Sequence, residues 1–206
     1  SYGGHVVFQN ASLMVERGDK VAFVGRNGEG KSTLVKCIMG QLEHEGTLTL
    51  GHNVQIGYFA QNQATLLDGE ITVYDTIDSV AKGDIRLKIR DLLGAFMFGG
   101  EEGTKKVKVL SGGERTRLAI LKLLLEPFNL LILDEPTNDL DIDTLTVLED
   151  FLESFNGAVL IVSHDRYFLD KTVDQLFVIR GEGQTELFYG SMSEYLEQEK
   201  SLAKVA

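Results

Sequence analysis

Three stretches of this chain are apolar at every position: Val21-Ala22-Phe23-Val24, Leu130-Leu131-Ile132-Leu133 and Ala158-Val159-Leu160-Ile161-Val162. Strands that are apolar on both faces belong in the middle of a parallel sheet covered by helices on each side. The segments between them switch to a helical period. Residues 31–39 predict a helix closed by Gly40. Leu145, Leu148, Leu152 and Phe155 mark the buried face of another, with Asp141 as its N-cap. Residues 71–80 and 85–98 read as helices, the second from Ile85, Ile89, Leu92, Leu93 and Phe96, with Gly99-Gly100 as its stop. A further helix runs from Arg115 to Glu126 and stops at Pro127. Elsewhere the pattern is that of strands: Val6-Val7-Phe8, residues 11–15, residues 46–51 and residues 54–59, the last two joined by a turn at His52-Asn53. Asp174 to Arg180 and Thr185 to Tyr189 predict a hairpin, and Ser191 to Lys204 a charged terminal helix opened by a Ser191/Glu194 capping box.

The first apolar strand runs into Gly25-Arg26-Asn27-Gly28-Glu29-Gly30-Lys31-Ser32-Thr33, a full G-x-x-x-x-G-K-[ST] phosphate loop of Walker A type between a strand and a helix. The glycines let the backbone curl round a phosphate, and loop N–H groups and the helix N-terminus supply positive charge. In such a loop the lysine reaches the β- and γ-phosphates and the hydroxyl ligates Mg²⁺, which assigns those parts to Lys31 and Ser32.

The strand at residues 130–133 ends in Asp134-Glu135. Ligands of parallel sheets bind beyond the carboxyl ends of the strands. Asp134 and Glu135 are therefore expected beside the phosphate loop, as the Walker B acids near the metal. His164 leaves the same sheet edge after residues 158–162 and reads either as a structural histidine or as a site residue. Leu110-Ser111-Gly112-Gly113-Glu114 precedes a helix and is either a simple glycine turn or a second anion site. Capping alone would account for Asp141. Tyr2 is either a frayed terminal aromatic or a surface on which a base stacks. Cys37, the single cysteine, reads as a small core residue and rules out an internal disulfide framework.

Composition narrows this further. The 206 residues are 43% hydrophobic and 25% charged, ordinary for a globular domain able to bury a sizeable core. A net charge of −11 argues against direct gripping of DNA or other bare nucleic acid, and Lys105-Lys106-Val107-Lys108 reads as a solvated loop. No apolar run reaches membrane-spanning length, no signal peptide is present, and a cytoplasmic location is expected. The start at Ser1 rather than Met is expected of a fragment of a longer protein.

The phosphate loop, Gln61, Leu110 to Glu114, Leu130 to Glu135, Asp141 and His164 stand in the order of an ABC-type ATPase domain, which the chain resembles over its whole length. The resemblance implies an α/β phosphate-loop NTPase core of ABC type over residues 1–206, with an antiparallel β subdomain and a helical subdomain over 66–126. It implies ATP and Mg²⁺ as ligands. Tyr2 would stack on the base, Gln61 would lie near Mg²⁺ and the attacking water, and Ser111, Gly112, Gly113 and Glu114 would form the signature facing another domain's γ-phosphate. Asp141 would be the D-loop residue, His164 the switch histidine, and Glu135 the general base, with Lys31 and Gln61 assisting. Ser32, Gln61 and Asp134 would serve the metal. Gly57-Tyr58-Phe59-Ala60-Gln61, Pro136 to Asp141 and Ser163 to Asp170 resemble the soluble ABC-F proteins, and most of all the second ATPase domain of a bacterial member. That implies a second ABC domain as partner, in tandem or as a homodimer, and action on the ribosome through regions absent from this chain; the alternatives are the ATPase subunit of a membrane ABC transporter, or a nucleotide-gated ribosome-binding module with little turnover. Asp139 stands where many members carry histidine. Glu29 replaces a usual small residue in the phosphate loop, where a carboxylate repels phosphate unless it points away.

Overall fold

The computed structural model describes residues 11–28, 30–60, 62–138, 140–180 and 183–205. Tyr2, the Val6 to Phe8 strand, Glu29, Gln61 and Asp139 lie outside the described residues. The centre is a six-stranded sheet in the order β2-β3-β4-β1-β5-β6. Its strands are β1 (Lys20–Val24), β2 (Ile56–Phe59), β3 (Leu130–Asp134), β4 (Ala158–Val162), β5 (Gln175–Ile179) and β6 (Thr185–Tyr189). Neighbours are parallel except β5 and β6, which form the expected antiparallel hairpin.

Successive side chains of a strand point to opposite faces, and the core divides accordingly. Ala22, Leu131, Leu133, Val159, Ile161, Leu176 and Val178 join one apolar cluster. Val21, Phe23, Leu130, Ile132, Leu160, Val162, Phe177 and Ile179 join the other. The first cluster is closed by α5 (Gly112–Leu124), α6 (Ile142–Ser154) and α7 (Arg166–Thr172), through residues such as Leu118, Leu148 and Phe168. The second is closed by α1 (Lys31–Ile38) through Val35. Cys37 is buried on α1, and that burial pushes its thiol pKa up. The final helix, α8 (Met192–Val205), has the expected capping box: Ser191 N donates to Glu194 Oε2 at 2.7 Å and Glu194 N to Ser191 Oγ at 3.2 Å.

Several expectations are corrected. Residues 11–15 and 46–51 form no strand, although the turn at His52-Asn53 is present. The strand expected from Val6 to Phe8, a natural partner for either, lies outside the described residues. The helix expected over 71–80 contracts to α2 (Val73–Asp78), because the Thr72 side chain caps it by accepting from Asp75 N at 3.0 Å. The helix expected over 85–98 is broken at Lys88 into α3 (Asp84–Leu87) and α4 (Ile89–Ala95). It ends before Gly99 because Phe98 is drawn into the core. Met97 takes a left-handed φ of 61°, and Phe98 N closes the helix on Leu93 O at 2.7 Å. This is the double closure usual for a glycine, here imposed on methionine by burial of its neighbour.

Two glycines test this packing. A Cβ at Gly157 would collide with the Asn129 carbonyl and the Phe155 ring, whereas one on Gly94 of α4 meets open space. Gly157→Ala should therefore cost about 1–3 kcal/mol or more, as overpacking does. Gly94→Ala should be stabilising by up to about 1 kcal/mol. Denaturant melts of both variants check the contrast, and the reverse order would contradict this packing.

Candidate functional site

The register brings three strand ends together. Phe23 of β1 and Asp134 of β3 both pair with Val162 of β4, so the segments after β1, β3 and β4 leave one edge side by side. After β1 the chain enters the phosphate loop. Gly28 and Gly30 take left-handed φ values of 84° and 105°, which other L-residues rarely adopt. Gly30 then serves as the N-cap of α1 without a side chain to cap it, and no acidic residue occupies the first turn. No side chain caps the start of that helix, whose positive dipole end favours an anion. Lys31 is 7% exposed. Its Nζ donates to Gly25 O at 2.6 Å and to Arg26 O at 3.0 Å, inside the curl of the loop.

Asp134 and Glu135 emerge opposite this lysine. Burial raises the Asp134 carboxyl pKa, against the opposing pull of Lys36 and Lys31. Burial also raises that of Glu135, against the pull of His164 and Lys31. Glu135 adopts a left-handed φ of 51°, an uncommon backbone for a non-glycine residue, and its N–H is tied to Val162 O at 2.7 Å. Strain of this kind gathers at functional sites. It aims the carboxylate at His164, whose Nε2 lies 3.3 Å from Glu135 Oε1. His164 follows the buried Ser163, and Asp165 caps α7 by accepting from Phe168 N at 3.1 Å. A desolvated carboxyl of raised pKa beside an imidazole and a buried ammonium accepts a proton more readily than an ordinary glutamate does.

Ser111 and Glu114 form a reciprocal capping box at the start of α5: Ser111 N donates to Glu114 Oε2 at 2.7 Å, and Glu114 N to Ser111 Oγ at 3.2 Å. A Cβ added at Gly112 would meet nothing within 4 Å, so this turn faces open space. Asp141 caps α6, its Oδ1 accepting from Thr144 N at 2.8 Å, and its Oδ2 receives Arg117 Nη1 at 2.7 Å.

The structure thus gathers Lys31, Asp134, Glu135 and His164 on the edge that carries Gly25, Asn27, Gly28, Gly30, Ser32 and Thr33. Ser111, Gly112, Gly113, Glu114 and Asp141 form a separate group around the start of α5. Sequence reasoning missed Lys36, which acts on Asp134, and Arg117. A charged residue among Leu118, Ala119 and Ile120 in α5 was the available signal for Arg117.

Comparison with known proteins agrees with this geometry. The family profile described as "ABC transporter" matches residues 8–138, well over half of the chain. The chain belongs to the ABC transporter family. Its relatives place it on the ABC-F branch. It is 39% identical over 208 residues to the ATP-binding protein YfmR of Bacillus subtilis, covering 98% of this chain and 33% of that protein. It is 40% identical over 205 residues to the energy-dependent translational throttle protein EttA of Escherichia coli, covering 97% of this chain and 37% of that protein. It is 43% identical over 195 residues to ABC transporter F family member 5 of Arabidopsis thaliana, covering 94% and 28%. The chain therefore spans about a third of the length of these relatives. Among solved structures, an RNase-L inhibitor superposes with a TM-score of 0.71 at 28% identity over 91% of this chain and 37% of that one. An ATP-binding subunit of an ABC transporter superposes with a TM-score of 0.79 at 21% identity, over 97% and 89%, and shares the fold. Among the described residues of this ABC domain, no helix is long and apolar enough to cross a membrane.

The raised Glu135 pKa has a consequence for stability. Native Glu135 holds its proton more tightly than the unfolded chain does, so the wild type loses stability as pH rises from the ordinary glutamate range through the native value. Glutamine cannot ionise. Glu135→Gln is therefore expected to melt at a higher temperature than the nucleotide-free wild type at pH 7, with the gap closing as pH falls into the ordinary glutamate range. Thermal melts across that pH range check the sign.

Proposed function

We propose that this chain binds MgATP on the Gly25–Thr33 loop and hydrolyses it by in-line attack of water on the γ-phosphate. The observation behind this reading is the convergence of Lys31, Asp134, Glu135 and His164 on one sheet edge beside a phosphate loop. Lys31 would exchange the Gly25 and Arg26 carbonyls for the β- and γ-phosphate oxygens. Glu135 takes the proton of the attacking water, and His164 holds water and γ-phosphate in register. No cluster of three His, Cys, Asp or Glu suited to a metal occurs among the described residues. That fits Mg²⁺, which is usually bound by one or two carboxylates together with substrate phosphates and water. Ser32, Asp134 through water and Gln61 would hold the ion, which supplies charge neutralisation at the phosphates. Tyr2 would stack on the base.

The signature turn at Ser111-Gly112-Gly113 lies open and apart from Lys31. The complete site is therefore composite: the signature of a second ABC domain, in tandem or from a second copy, closes over ATP held here. ATP joins the two domains and hydrolysis parts them. A role in translation on the ribosome is supported by the name of the relative EttA, a translational throttle. It is also supported by the likeness, at a TM-score of 0.72 and 27% identity, to a structure titled as a complex of the archaeal ribosome recycling factor aABCE1. A cytoplasmic location accompanies that role.

Lys31→Ala should weaken nucleotide binding about 10- to 100-fold, since hydrogen bonds to charged groups contribute about 1.5–3 kcal/mol each. Fluorescent-nucleotide titration reads this, and unchanged affinity contradicts the assignment of Lys31. Glu135→Gln should slow turnover about 10²- to 10⁴-fold, the usual worth of a general base. It should also accumulate an ATP-bound dimer, seen by light scattering with MgATP at high protein concentration. Adding Ser111→Arg should abolish that dimer by filling the γ-phosphate space. A Glu135→Gln chain that stays monomeric with ATP bound, beside wild-type turnover independent of protein concentration, would exclude the composite site.

A further inference from the structure

Among the described residues, the formally charged side chains that are buried are Lys31 and Arg117. The phosphate loop accounts for Lys31. Arg117 lies on α5, one and a half turns beyond the signature, and turns inward. Its guanidinium lies 4.9 Å over the Phe98 ring, while Nη1 donates to Asp141 Oδ2 at 2.7 Å. Asp141 is half-exposed, so the pair is only partly buried; pairs with an exposed partner contribute little to stability, and fixing one element against another is a better reason for it.

The elements joined here are informative. On one side, Glu114 closes the capping box on Ser111, and Arg117 lies one turn further along the same helix. On the other side, Asp141 ends the segment that begins with Glu135. That segment is pinned at its start by Glu135 N–H on Val162 O, and turned by Asn138 N on Glu135 O at 3.4 Å and Leu140 N on Thr137 O at 3.4 Å. At its far end Asp141 spends one carboxylate oxygen on capping α6 and the other on Arg117. A side-chain bridge thus joins the helix that opens at Ser111 to the segment that carries Glu135.

We infer that Arg117 is a positioning residue that holds the signature turn and the Glu135–Asp141 segment in one fixed relation. This rests on the composite-site reading above. There Ser111 to Gly113 face the partner's ATP while Glu135 acts on the ATP of its own domain. The bridge then makes engagement of one ATP set the geometry of the base at the other. Arg117 touches neither nucleotide.

The test measures ATP turnover, MgATP affinity and melting temperature for Arg117→Met, Arg117→Lys, Asp141→Asn and the Arg117→Met/Asp141→Asn double variant, beside Glu135→Gln. Asp141→Asn keeps an N-cap acceptor for α6 and removes only the charge facing Arg117, so it decides the matter alone if Arg117→Met fails to fold. Each of Arg117→Met and Asp141→Asn should lower kcat about 10-fold or more, within the ~10²-fold that a 1 Å misplacement costs, and leave MgATP affinity unchanged. The double variant should be no slower than the slower single one, as expected for two partners in one interaction. Arg117→Lys should fall between, keeping the charge and losing the planar fork. Wild-type kcat in both single variants, additive losses, or affinity falling in step with kcat would overturn the inference. With Glu135→Gln inactive, those results leave the hydrolytic reading standing. Turnover persisting in Glu135→Gln would remove that reading and this inference with it.

Discussion

The Lys31 ammonium is the charge around which this end of the molecule is arranged. A buried cation is costly unless it is hydrogen-bonded and paired. Here it lies within the loop on the carbonyls of Gly25 and Arg26, facing two carboxyls whose own burial raises their pKa values. Each side limits the cost of the other: Lys31 draws Asp134 and Glu135 back toward the ionised form, and they favour the ammonium. A polyphosphate entering such a site brings negative charge to Lys31 and to the uncapped start of α1. It also brings negative charge toward Asp134 and Glu135, a repulsion that the Mg²⁺ of the proposed reading would offset.

The sheet makes this arrangement affordable in structural terms. Strict alternation of β1, β3, β4 and β5 between two apolar clusters fixes register, because a slip of one residue would exchange the two faces. That rigidity holds Glu135 at φ 51° against its backbone preference. Packing energy spread over the sheet thus sustains local strain at the residue whose carboxylate faces His164. The same logic appears at Met97, where burial of Phe98 imposes a left-handed turn and thereby supplies the ring on which Arg117 rests.

Much of this was legible in the sequence. Strands apolar on both faces announce a covered parallel sheet, and carboxylates at the end of one of them belong at its ligand-binding edge. The capping box at Ser191 follows from residue type and spacing alone. The strands expected at 11–15 and 46–51 were not obtained: Leu13 and Val15 pack against the second cluster without pairing, and Leu48 and Leu50 are exposed, so no buried face fixes a strand there. The break at Lys88 and the early end of α4 were hidden because a helical period shows which side chains face inward and not where the backbone must turn to bury the next one. Arg117 escaped notice for a similar reason. A helix rich in arginine does not reveal which of them turns inward until the ring and carboxylate that receive it are in place.

On the proposed reading, Glu135 is a desolvated carboxyl restrained by His164 and, more weakly, by Lys31, and is therefore able to serve as a base. Site-resolved ¹³C NMR titration of the Glu135 carboxyl in the nucleotide-free chain, repeated in Lys31→Met, tests it most directly. The carboxyl should titrate above the ordinary glutamate range in the wild type and higher still without the lysine. A carboxyl that titrates at or below the ordinary range, or is indifferent to the loss of Lys31, would contradict this account.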